Sequence, residues 1–276
     1  IWIGGESGLY RFNATKEEFI PAKIDTKTFP KDGSLHIATI MESGGEHLWV
    51  GTWTNGLAYY NRSDNVLSWS KPEISSDKSG KMRVRSILAE NSETLWICSN
   101  IGLFRHDILQ NRTSQVILST LKTDDNVYSC MKDKEGGIWF GTYFNGLHYL
   151  SPKARQIECY TNRNIPKKLN GSAISSFCED DKGNIFIASE NGGLSLFDPV
   201  SKRFLDSVPS AKVTGHNVHA ICLDDRNLYT GTFSNGLKKI NLATGKVRSF
   251  TEGNCPALAS NNVFSLHKSV DGPLYI

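Results

Sequence analysis

Three short segments place an aromatic ring beside an amide: Gly51-Thr52-Trp53-Thr54-Asn55-Gly56-Leu57, Gly141-Thr142-Tyr143-Phe144-Asn145-Gly146-Leu147 and Gly231-Thr232-Phe233-Ser234-Asn235-Gly236-Leu237. Rings such as Trp53, Tyr143, Phe144 and Phe233 can stack on the face of a sugar, and Asn55, Asn145 and Asn235 can hydrogen-bond its hydroxyls. The plainer alternative is that the rings pack against a neighbouring repeat while each Asn makes its turn. A second set, Lys81, Arg83, Arg85, Asn126, Tyr128, Asn170, His216, Asn217 and His219, lies where the chain enters later apolar segments. Arg83 and Arg85 carry forked donors that match a carboxylate or sulfate; as solvated surface charges they would do little. His216 and His219 stand three apart without a third ligand at a recognisable spacing, so no metal and no other cofactor is expected.

Catalysis needs a positioned acid and base, and the chain does not place them near the rings. Glu179, Asp180 and Asp181, like Asp224 and Asp225, fall in polar turns expected at the opposite end of the strands. No nucleophile, second carboxylate or glycine-rich phosphate loop accompanies the aromatic segments, and no catalytic residue is assigned.

The elements that must position these residues follow from a repeat. Apolar blocks begin at Ile1, Leu48, Leu95, Ile138, Ile185 and Leu228, with Leu274-Tyr275-Ile276 opening a partial seventh. Successive starts lie 47, 47, 43, 47, 43 and 46 residues apart, a period at which each repeat supplies one four-stranded propeller blade. Within a repeat the apolar block is the second strand, the Asn-Gly segment turns into the third, and an outer strand such as Val247–Phe250 follows. The innermost strand precedes the block, as in Leu35 to Met41, Val84 to Glu90, Val127 to Lys132, Ile174 to Glu179, Val218 to Leu223 and Val263 to His267. The expected fold is all-β: a β-propeller of antiparallel four-stranded blades, about six repeats in a single domain over 1–276, part of a seven-bladed or tandem propeller. In that geometry the aromatic turns and the links into the innermost strands share one rim.

Thirty-one basic side chains against 28 acidic ones leave a charge of +3, too small for a nucleic-acid or membrane-surface binder, so no direct nucleic-acid contact is expected. No apolar run is long enough to span a membrane, and a first residue of Ile1 suggests a piece of a longer chain. The cysteines Cys98, Cys130, Cys159, Cys178, Cys222 and Cys255 show no paired spacing and read mostly as small buried apolar residues. Asn13, Asn61, Asn111 and Asn170 begin Asn-x-Ser/Thr triplets and read as turn residues.

Asn126-Val127-Tyr128-Ser129, then Gly136-Gly137-Ile138-Trp139-Phe140-Gly141-Thr142 and Asn145-Gly146-Leu147, resembles the regulator-propeller repeat of two-component sensors. Cys98-Ser99 and Ala188-Ser189 depart from its Gly-Thr. The resemblance implies the periplasmic sensor region of a Bacteroides-type hybrid histidine kinase, binding an oligosaccharide and controlling polysaccharide-utilisation genes through kinase and output domains elsewhere in the chain. It also implies a neighbouring propeller and an immunoglobulin-like domain as partners in the same chain, and it allows a homodimer. The ligand residues expected are Trp53, Asn55, Arg83, Arg85, Tyr143, Asn145, His216, His219, Phe233 and Asn235. A carbohydrate-active propeller enzyme, glycosidase or lyase, and a protein-interaction scaffold remain as alternatives.

Overall fold

A computed structural model describes residues 1–30, 34–43, 47–70, 82–118, 126–153, 157–161, 169–205, 217–269 and 272–276. Every element among them is a β-strand. The chain divides into two compact units, Ile1–Cys130 and Met131–Ile276.

The first unit opens with a three-stranded antiparallel sheet, Trp2–Gly5, Gly8–Asn13 and Glu18–Pro21. Ile37–Glu42, His47–Thr52, Leu57–Asn61 and Val66–Trp69 form the first complete blade, in that order from innermost to outermost. Lys23–Ile24 adds a fifth strand, parallel to Val66–Trp69, which the repeat pattern does not announce. The next blade is Val84–Ala89, Thr94–Ser99, Gly102–Asp107 and Arg112–Val116.

The second unit repeats the design in three blades. Val127–Lys132, whose length carries the division between units, precedes Ile138–Thr142, Leu147–Leu150 and Ile157–Tyr160. Ile174–Glu179, Ile185–Ser189, Gly193–Asp198 and Arg203–Leu205 follow, then Val218–Asp224, Asn227–Thr232, Leu237–Asn241 and Val247–Phe250. A two-stranded pair, His267–Lys268 with Leu274–Tyr275, ends the chain. The segment expected as the innermost strand Val263 to His267 is strand only at its last residue. Val263 is buried and its N–H donates to the Thr232 carbonyl at 3.0 Å, so it packs against the preceding blade, and the strand that begins at His267 pairs with Leu274–Tyr275 alone among the described residues.

The second strand of each blade explains the apolar blocks. Thr94–Ser99, Ile138–Thr142 and Ile185–Ser189 are buried at every residue, because both faces of a central blade strand meet neighbouring sheets. Among the described residues, four apolar layers fill these spaces. Leu9, Leu48, Val50 and Leu67 form one, and Val84, Leu95, Ile97 and Phe104 another, within the first unit. Trp139, Ile174, Ile187 and Phe197 form one, and Phe186, Leu194, Val218 and Leu228 another, within the second. Asp133 ties its blade locally, accepting the Gly137 N–H at 2.6 Å and the indole N–H of fully buried Trp139 at 2.8 Å. Antiparallel four-stranded sheets stacked by their apolar faces are the blades of a β-propeller, as the period predicts.

Cysteine burial differs from the expectation. Cys98 is buried, but Cys159 is exposed and the other four are half-buried, because only Cys98 lies on a strand enclosed from both sides.

Candidate functional site

A hydroxyl builds the turn that carries each aromatic ring. Thr52 Oγ1 donates to the Gly56 carbonyl at 2.8 Å and accepts the Asn55 N–H at 2.9 Å. Thr142 makes the same pair with Gly146 and Asn145, and Thr232 Oγ1 reaches Gly236 O at 2.8 Å. Where the sequence departs from Gly-Thr the hydroxyl survives, since Ser99 and Ser189 donate to Gly102 and Gly193. The preceding glycine is needed for packing: a Cβ on Gly51 would lie 2.6 Å from Val84 Cγ1 of the next innermost strand.

Backbone bonds join these turns to the entry of the innermost strand of the same blade. Trp53 N donates to His36 O, Asn100 N to Arg83 O, Glu190 N to Ala173 O and Phe233 N to Asn217 O. One position per repeat therefore occupies the same place on its blade, at the rim of its unit: Trp53 and Asn100 in the first unit, Glu190 and Phe233 in the second, with Tyr143 at the matching place in sequence.

The innermost strands carry a bulge two residues further on. Pairing skips Ala38, Arg85, Ser175 and His219, each left opposite no partner in its ladder. A bulge turns a side chain out of the regular alternation and is common beside functional sites. Arg85 and His219, two of the residues expected at the site, owe their placement to it.

In the first unit Trp53, Arg83 and Arg85 come together. The Arg83 guanidinium carbon lies 3.5 Å from the Trp53 ring centroid, and the His36 ring stacks on Trp53 at 4.9 Å with planes 7° apart. Those separations leave no room for both on one side, so they cover opposite faces of the indole. Trp53 keeps 36% of its surface exposed, through its edge. Arg85 lies 3.6 Å from the Tyr128 centroid and 6.0 Å from that of Trp53. Asn55 is held to the fold: its side-chain amide donates to Ser34 O at 3.0 Å, and its backbone bridges to Met82.

In the second unit His219, Phe233, Phe264 and Glu190 converge. His219 lies 4.9 Å from the Phe264 ring centroid and 6.1 Å from that of Phe233, while its Nδ1 is 3.4 Å from Glu190 Oε1. Burial pushes the His219 imidazole below its ordinary pKa, so the ring that faces Glu190 is neutral at neutral pH. Phe233 and Phe264 are 44% and 60% exposed and offer open faces that Trp53 does not. Tyr143 packs edge-on to Phe144 at 4.3 Å, leaving Phe144 60% exposed. Asn145 is half-buried in its turn, and Asn235 is exposed, its amide 3.4 Å from Phe233 O. His216 and Lys81 lie outside the described residues.

Sequence reading did not single out His36, Glu190 or Phe264. The signal was present for Glu190, which stands at the repeat's rim position in register with Trp53 and Phe233. A separate cavity of about 880 Å³ in the first unit is lined by Glu42, His47, Trp49, Tyr59, Trp69 and Asn111, and includes none of the expected ligand residues.

Among known proteins, the extracellular domain of BT4673 from B. thetaiotaomicron, described as a hybrid two component system, superposes with a TM-score of 0.71 at 18% identity. The match covers 96% of this chain and 36% of that one. The extracellular domain of BT3049 from the same organism, described likewise, gives 0.59 at 17% over 99% of this chain and 41% of that one. PorZ, a surface component of the type-IX secretion system of Porphyromonas gingivalis, gives 0.70 at 18% over 95% and 40%. The chain thus spans well under half the length of each. No curated protein sequence matches it. The family described as two component regulator propeller matches residues 121–144. The chain is a β-propeller, and one segment of it, residues 121–144, matches the two component regulator propeller repeat.

Proposed function

We propose that this propeller is the sensor part of a hybrid two-component receptor, that it works on the periplasmic side of the inner membrane, and that its rim binds an oligosaccharide. The observation that carries the reading is the rim itself: rings, amides and charged groups repeat at one position per blade, on turns locked by a buried hydroxyl and on bulged innermost strands. Fold likeness alone does not choose a role, because PorZ and the BT4673 domain superpose about equally well. The regulator-propeller match at 121–144 favours the receptor.

Signal would pass when the ligand binds one arrangement of the receptor better than another, since equal affinity shifts nothing. A neighbouring propeller or immunoglobulin-like domain closing on the same sugar would supply that difference. The response would then reach a transmembrane histidine kinase and genes of polysaccharide use. The domain itself is read as non-enzymatic: the carboxylate brought to the described rim of the second unit, Glu190, faces His219 rather than a second acid.

Calorimetry and thermal shift on the intact extracytoplasmic region, against plant and host oligosaccharides and with product assayed, test this reading. Saturable binding without turnover is expected. A Trp53→Ala, Tyr143→Ala, Phe233→Ala triple variant should keep its fold and lose at least about tenfold in affinity, the scale of losing the Tyr143 and Phe233 stacking contacts together with the indole under Arg83. Turnover would replace the sensor with an enzyme, and a blank panel would end the oligosaccharide reading for the sugars tested.

A further inference from the structure

We infer that the rim of the first unit is an anion clamp, and that the oligosaccharide it takes is acidic, presenting a carboxylate or a sulfate to Arg83 and Arg85. This deepens the oligosaccharide reading and rests on it.

The geometry separates this rim from an ordinary sugar-stacking platform. A platform needs an open ring face, and Trp53 has none: His36 holds one face and Arg83 the other. The indole instead serves as a bed for a cation. The Arg83 guanidinium carbon sits over the ring at 3.5 Å from its centroid, and that of Arg85 over Tyr128 at 3.6 Å, close enough to bring each group's face against its ring. A guanidinium stacked by its face keeps its N–H donors at the edge, in the planar fork that matches two oxygens of one anion. Stacking also removes rotamer freedom beforehand, so less is lost when a ligand arrives.

Both cations owe their place to the backbone. The Arg83 N–H and carbonyl are tied to Asn100, through Asn100 Oδ1 at 2.7 Å and Asn100 N at 3.2 Å. Arg85 stands on the bulge, which directs it toward Tyr128 and Trp53. Two other arginines of this unit are engaged with acids, Arg62 with Glu42 and Arg105 with Glu90. Arg83 makes no ion pair among the described residues. A fixed cation with no acid beside it, on the rim of a bulged strand, has the form of a site for an anionic group brought by a ligand.

Matched sugars test the clamp on the intact extracytoplasmic region by calorimetry. Oligogalacturonides are compared with their fully methyl-esterified forms, and chondroitin sulfate oligosaccharides with desulfated ones, so that carboxylate and sulfate are told apart. The charged member of at least one pair should bind, its neutralised counterpart about 10- to 100-fold more weakly, the range of a lost bidentate charged contact. Arg83→Gln and Arg85→Gln should each bring a similar loss, and affinity should fall as salt rises. Arg83→Lys keeps the charge and loses the fork, so it should fall between wild type and Arg83→Gln. Unchanged melting temperatures and circular dichroism separate loss of the anion contact from loss of the Trp53 stack. Equal binding of charged and neutral members, or full affinity in both glutamine variants, overturns the clamp and leaves oligosaccharide sensing standing. A panel in which no sugar of either kind binds removes both.

Discussion

Side chains that the fold buries without full partners set how this protein responds to acid. His148 sits on a third strand, almost wholly buried, with Nε2 3.8 Å from Cys159 Sγ and Nδ1 lacking a partner. Burial pushes its pKa down to about 4 from an ordinary 6.5, and His106, buried at 0% exposure, is lowered for the same reason. The unfolded chain therefore binds a proton at His148 between about pH 6.5 and 4 while the folded chain does not. Stability is full above that window and falls as pH drops through it, by about 3 kcal/mol for this residue at the lower end. A His148→Gln variant should show a visibly shallower fall of melting temperature between pH 6.5 and 4. Parallel slopes for variant and wild type would show that other groups govern the acid response.

At the level of the element, the hairpin between second and third strands is what repeats most faithfully, and its glycine answers to two separate demands. Gly146 has φ +75°, a left-handed backbone, and a Cβ there would lie 2.3 Å from the Tyr160 carbonyl of the outer strand's end. Gly136 has φ +85° in the turn before its strand, and a Cβ there would meet nothing within 4 Å. Gly136→Ala should cost about 1–2 kcal/mol, from backbone conformation alone. Gly146→Ala meets conformation and a backbone clash together and should cost about 3 kcal/mol or more. Urea unfolding of the two variants measures both, and equal losses would show that the outer strand yields freely. The rim ligands depend on this same turn, so Gly146→Ala should also displace Tyr143.

For the whole molecule, stability should be graded rather than uniform, because each sheet depends on the faces of its neighbours. Second strands buried at every residue, Thr94–Ser99, Ile138–Thr142 and Ile185–Ser189, should exchange their amide hydrogens most slowly. The pair His267–Lys268 and Leu274–Tyr275, two residues to a strand and half-exposed or exposed, should exchange fastest among the strands. Mass-spectrometric hydrogen exchange reads this ordering directly, and a flat profile would mean that all sheets open as a single cooperative unit. An oligosaccharide bound at the rim should slow exchange at the turns around Trp53 and Phe233 more than in the buried strands.

The fold was legible in the amino-acid order because each blade is made of local signals repeated at one period. Alternating and continuous apolar runs, Asn-Gly turns and the Thr52-type hydroxyl act within a few residues of one another, so strand order and hairpin chemistry follow from neighbours in sequence. The residue types at the rim were legible for the same reason. What tertiary structure decided is which of those side chains meet. His36 and Arg83 come from different repeats to cover Trp53, the bulge at Arg85 shows only in strand pairing, and Glu190 reaches His219 from the turn of another blade. Lys23–Ile24 found a parallel partner, and Val263 took a place against the preceding blade, in the same way. Such contacts depend on the distance and angle at which sheets stack, and periodicity along one chain carries no record of either.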